Sequence, residues 1–146
     1  MTGGLSYPTQ HTFPVIGTKS GTTRTAVALT ASYTDNAKTF KVAGFSKINF
    51  DALYTMGATE TSNSIELKIE ASPDGTNFYR IPNEAVSGGT STLTAREFTF
   101  VGTNAAAATI SIGLDIFYLY LKVSVKETGV ATNAGTIYIE ATLSGQ

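Results

Sequence analysis

Few side chains in this chain could do chemistry, and their spacing limits what they could do. The single histidine, His11, stands in a stretch of Gly, Thr, Ser and Pro. A nucleophile–base pair needs its imidazole held rigidly beside a hydroxyl, and nothing around His11 would hold it, so it is read as incidental. Glu66 and Glu70 share one face of an alternating segment, and paired carboxylates are the equipment of glycoside hydrolysis. Lys68 lies between them on that face, which makes the row an ordinary solvated strand surface. Asp74-Gly75-Thr76-Asn77 carries oxygens that suit calcium, but it lacks the alternating acids and distal Glu of an EF-hand loop, so a tight turn explains it. Ser87-Gly88-Gly89-Thr90 has neither the Lys nor the following helix of a phosphate-binding loop. With no cysteine, thiolate metal sites and disulfides are excluded. The expectation is no catalytic residue, no metal ligand set and no cofactor.

The bulk numbers narrow the partners. Ten basic residues face eleven acidic ones in 146, for a net charge of −1, and charged residues make up only 14%. A nucleic-acid binder draws its affinity from a basic surface, which is missing, and nothing favours an anionic membrane. Near-zero charge in a β-rich chain invites association. Residues 1–10 (MTGGLSYPTQ) lack a basic n-region and an apolar h-region, and no apolar run reaches membrane-spanning length. The expectation is a soluble chain that reaches its place without Sec-type export.

The elements that must position any site alternate with a period of two, and no helical stripe competes. Ile48, Phe50, Ala52 and Tyr54 share a face against Lys47, Asn49 and Asp51. Ile65, Leu67, Ile69 and Ala71 oppose Glu66, Lys68 and Glu70. Over residues 116–126, Phe117, Leu119, Leu121, Val123 and Val125 face one way and Tyr118, Tyr120, Lys122, Ser124 and Lys126 the other. Ile137, Ile139, Ala141 and Leu143 line a last strand opposite Tyr138, Glu140 and Thr142. Asp74-Gly75 marks a hairpin, residues 86–93 read as an exposed loop, and the alanines at 105–108 are the one place where a helical turn is tempting. About eight or nine strands with closely spaced turns predict an all-β chain, an antiparallel β-sandwich of jelly-roll type. Residues 1–23 are too poor in apolar groups to fold alone and are expected as an extended N-terminal arm; residues 24–146 are the sandwich domain.

What is left is surface. Tyr118, Tyr120 and Tyr138 pattern away from the core, and tyrosine joins an apolar body to a polar tip. Three covers suit them: a loop or arm of the same chain, a neighbouring subunit, or a sugar ring stacked on an aromatic platform. With Phe13, Val15 and Ile16 of the arm, they are the expected protein-interface residues.

Residues 65–79, IELKIEASPDGTNFY, put an alternating strand before Ser72, Asp74, Gly75 and the Phe78-Tyr79 pair. This segment resembles small β-sandwich structural proteins of tailed bacteriophages, the head decoration and accessory type. It also resembles discoidin-type, galactose-binding-like sandwiches, which usually carry tryptophan at the aromatic position, and this chain has none. The phage resemblance implies a non-enzymatic virion protein made in the host cytoplasm, with capsid or other virion proteins as partners. It also implies a homo-oligomer, with a trimer as the form such proteins often take. The competing expectation is a glycan-binding or host-adhesion module.

Overall fold

The computed structural model describes residues 10–95, 97–101 and 107–145. In chain order the first strands are β1 (His11–Ile16), β2 (Thr18–Ser20), β3 (Thr23–Thr25), β4 (Val27–Ala28), β5 (Ala37–Lys41), β6 (Lys47–Thr55) and β7 (Ser64–Ser72). There follow β8 (Tyr79–Arg80), β9 (Pro82–Ser87), β10 (Thr90–Ala95), β11 (Glu97–Val101), β12 (Ala107–Asp115), β13 (Tyr120–Thr128) and β14 (Thr136–Ser144). All pairings are antiparallel.

Two sheets make the sandwich. One runs β1-β14-β6-β12, with β4 also on β14; the other runs β11-β7-β13-β5, with β8 also on β7. Taken in chain order, the principal strands are wired as a jelly roll, with the first beside the last and most connections crossing between the sheets. The core is the inward half of each alternation. Ile48, Phe50, Ala52, Tyr54, Ile137, Ile139, Ala141 and Leu143 of one sheet meet Ile65, Leu67, Ile69, Leu121, Val123 and Val125 of the other. Each fully buried aliphatic or aromatic side chain stabilises the fold by about 1.5–3 kcal/mol.

The structure departs from the sequence expectations in three places. The boundary expected at residue 24 does not separate an arm from the domain. Residues 1–9 lie outside the described residues, but His11–Ile16 pairs with β14, Val15 and Ile16 are buried, and Phe13 meets Phe40 edge to face. Isolated apolar residues suffice here because β14 supplies the ladder hydrogen bonds and the core supplies the apolar surface. Second, residues 82–95 are not a loop but the hairpin β9–β10, closed by Gly88 and Gly89, both at positive φ. Wherever burial is described in its two strands the residues are exposed, so no alternation is readable there. Third, residues 116–119 are not strand. They carry the chain from one sheet to the other, Ile116 N–H bonding to Ser46 C=O and Leu119 C=O accepting from Val42 N–H. Of the alanine run, residues 105 and 106 lie outside the described residues, and Ala107 and Ala108 open β12.

Candidate interaction surface

One end of the sandwich carries an apolar hollow of about 210 Å³. It lies between the β7–β8 turn and the crossing segment 116–119, and Ala71, Pro73, Ile81 and Tyr118 line it. Around it stand exposed apolar groups: Phe117 at 84% exposure, Tyr79 at 64% and Leu119 at 48%. The crossing segment produces this display. While the chain changes sheets no ladder fixes which way its side chains point, and the alternation that predicts Phe117 and Leu119 inward fails.

The turn that forms the other wall is rigid. Asp74 Oδ1 accepts the backbone N–H groups of Thr76 and Asn77 at 2.8 Å each, and its Oδ2 accepts Asn77 Nδ2 at 2.7 Å. Ser72 Oγ accepts Gly75 N–H at 2.9 Å and donates to Asp74 Oδ1 at 2.9 Å. These donors, Asn77 N–H first, hold the Asp74 carboxyl well below the usual carboxylate range. Gly75 sits at φ 78°, and a side chain there would press on the Tyr120 ring. The oxygens that suggested calcium are spent on the turn itself.

The residues expected at an interface scatter. Val15 and Ile16 are buried in this chain's own core, and Phe13 is half-buried against it. Tyr118 is half-buried beside the hollow, and Tyr120 is half-buried under the Asp74-Gly75 turn. Tyr138 does point away from the core, yet only 2% of it is exposed, because the hairpin β2–β3 lies over it. Its hydroxyl donates to Glu140 Oε2 at 2.9 Å, and the Arg24 guanidinium stands 5.6 Å from its ring centre. Arg24 Nη2 and Lys19 Nζ reach Glu140 at 2.7 and 3.4 Å. Burial pushes the Glu140 carboxyl up, but the bonds from Tyr138, Arg24 and Lys19 outweigh it and hold the group below its ordinary value. Only Tyr118 of the expected set lines the hollow. Tyr79, Phe117 and Leu119 were missed, and their one sequence signal is the Asp-Gly turn that brings Tyr79 back to the end of β7.

The carboxylates are engaged structurally. Lys126 pairs with Glu66 at 3.1 Å, Lys68 with Glu70 at 3.3 Å, and Tyr33 lies over Lys68 and Lys126, each 4.7 Å from its ring centre. At the opposite end, Glu60 accepts the successive N–H groups of Ala131, Thr132 and Asn133 at 2.7–2.9 Å, which lower its pKa. Glu127, 1% exposed, accepts the Tyr54 hydroxyl at 2.6 Å, Asn63 Nδ2 at 3.2 Å and Gly135 N–H at 2.7 Å. It ties one sheet to the other and to the β13–β14 loop. His11 stacks on Phe13 at 5.4 Å, out on an edge strand. Among the described residues no group of three or more His, Cys, Asp or Glu could hold a metal.

Fold and surface together define a class: a jelly-roll β-sandwich with an exposed apolar end. No protein-family model and no curated protein matches the sequence. Solved structures do match in shape. The CBM22-1 xylan-binding domain of Paenibacillus barcinonensis Xyn10C aligns with 99% of this chain and 90% of its own, at TM-score 0.50 and 9% identity. Dimeric latent PorU from Porphyromonas gingivalis aligns with 99% of this chain but 14% of its own, at TM-score 0.51 and 12% identity. The SPBc2 prophage-derived protein YomS aligns with 99% of this chain and 100% of its own, at TM-score 0.47 and 13% identity. At 9% identity what this chain shares with the xylan-binding domain is the β-sandwich fold, and fold does not carry function.

Proposed function

We propose that this chain is a non-enzymatic structural protein of a tailed-phage virion, a capsid decoration or accessory protein that docks by the end bearing Tyr79, Phe117 and Leu119. One observation carries the docking end: large apolar side chains stand exposed around a hollow, one wall of which is held by the Asp74 turn. A preformed apolar surface with a central hollow suits a protein partner, because ordering it costs little on binding. Binding to the expanded shell, and not to its precursor, would stabilise the shell by the difference in affinity. The test is co-sedimentation with expanded shells of a phage whose genome carries the coding sequence. Phe117→Ser should leave stability within about 0.5 kcal/mol, since the side chain is exposed, and abolish co-sedimentation. Equal binding by wild type and variant would sink the docking end, and no binding by either would sink the virion reading.

A glycan-binding module is the second reading, and the exposed rings of Tyr79 and Phe117 beside the same hollow favour it. Tyr118, Tyr120 and Tyr138 offer no such platform, being half-buried or buried. A saccharide response in a glycan array that is lost in Tyr79→Ala would move the assignment to this class.

A further inference from the structure

The edges of the two main sheets are not alike. An edge strand presents unpaired N–H and C=O groups, and proteins blunt such edges with lysine, proline, bulges or short length. Here β1 carries Pro14 and a register shift between Pro14 and Ile16, and the neighbouring β4 is two residues long. On the second sheet, β5 has five residues including Lys38 and Lys41, and the opposite edge is divided between β11, of five residues and headed by Glu97, and β8, of two. The remaining edge, β12, has none of these devices. It runs nine residues, AATISIGLD, with no lysine, arginine or proline, and its only charge is the terminal Asp115. Its nine consecutive pairs with β6, from Ala107↔Thr55 to Asp115↔Lys47, show no bulge. Among the described residues it pairs with β6 alone. Every second residue of an edge strand directs its N–H and C=O groups outward, so β12 is an unbulged template, free of lysine and proline and open among the described residues.

We propose that β12 is a self-association edge, pairing antiparallel with β12 of a second copy about a two-fold axis at Ser111. The sequence of the strand argues for this occupant. Full overlap of Ala107–Asp115 with itself puts Ser111 opposite Ser111, Ile110 opposite Ile112, Thr109 opposite Gly113 and Leu114 opposite Ala108. Asp115 then falls opposite Ala107, so no like charges meet. Exposed Thr109, Ser111 and Gly113 alternate with Ile110, Ile112 and Leu114, so this register aligns the inward faces of both copies; a one-residue slip would set inward against outward. Ile110 and Leu114 are half-buried where Ile112 is buried, leaving apolar surface for the partner's isoleucines to cover. The same flank carries more: Ile81 and Pro82, at the start of the β9–β10 hairpin, line a hollow with Gly113, Leu114 and Asp115. This is an isologous contact, closed by symmetry, and it holds whether or not the protein belongs to a virion.

The experiment is light scattering coupled to size exclusion, on the full chain, from low to high micromolar concentration. Wild type should show a dimer. Ser111→Lys and Ser111→Glu each set like charges opposite one another at the axis and should raise the dissociation constant by up to about fivefold. An equimolar mixture of the two should recover the dimer, which a misfolded variant could not do. Thr39→Lys, exposed on the already lysine-bearing β5, should dimerise as wild type does. A wild type monomeric throughout, or a dimer indifferent to both Ser111→Lys and Ser111→Glu, would overturn the proposal.

Discussion

Tyr54→Phe removes one oxygen from the middle of the sandwich. That oxygen lies 2.6 Å from Glu127 Oε1, in a cluster where Tyr54 and Glu127 are each 1% exposed. The ring stays, so no cavity opens, and the change isolates one hydrogen bond to a buried carboxylate. Bonds to charged groups are worth about 1.5–3 kcal/mol, and the loss falls fully on stability because water cannot replace the hydroxyl. Asn63 Nδ2 at 3.2 Å remains on the same oxygen and should keep the cost toward the lower half of that range. For a domain of this size, this corresponds to a fall in melting temperature of roughly 3–9 °C. Glu127→Gln sets an amide against donors from Tyr54, Asn63 and Gly135 and should cost at least as much. In urea denaturation the double variant should be less destabilised than the sum of the singles, with a coupling of about 1–2 kcal/mol. Burial and the Glu127 bond also raise the Tyr54 pKa. Its contribution is therefore complete below the ordinary tyrosine value and lost as pH rises through the raised one, a limb that Tyr54→Phe should remove. A cost below about 0.5 kcal/mol, or strict additivity, would refute the view that this cluster ties the two sheets together.

Other outcomes follow from the same geometry. Because Glu140 is held below its ordinary value, the unfolded chain takes up that proton first as the medium is acidified. Stability from Lys19, Arg24 and Tyr138 is present above the ordinary Glu value and is lost as pH falls through the lowered one. Amide exchange, corrected for intrinsic rates, should show β2–β3 losing protection in acid before the main sheets do, and Glu140→Gln should flatten that dependence. Asp74 obeys the same sign: its stabilisation is present above the ordinary Asp value and fades below it, so Asp74→Asn should make acid unfolding shallower. Identical acid limbs in variant and wild type would count against the turn as drawn. Gly57→Ala drives a methyl group into the backbone oxygen of Asn133 and should cost about 1–3 kcal/mol in thermal unfolding, by prising the loops apart.

The sequence by itself determined the sandwich. A face buried against a second sheet imposes a period of two, and β6, β7 and β14 display it without interruption, so their inward residues could be named before any coordinates. Even the Glu66-Lys68-Glu70 row was legible, because neighbours on one strand face follow from spacing alone. Tertiary structure decided which outward faces meet water. Tyr138 and Glu140 pattern outward yet are buried by β2–β3, a contact across more than a hundred residues that no local period encodes. It decided likewise that Val15 and Ile16 belong to the core, since an edge strand needs only a partner ladder to be worth ordering. It also turned Phe117 and Leu119 outward. Alternation is a property of a strand held in a ladder, and where the chain crosses from β12 to β13 there is none. The exposed apolar end is built at that crossing, where the sequence pattern gives no warning.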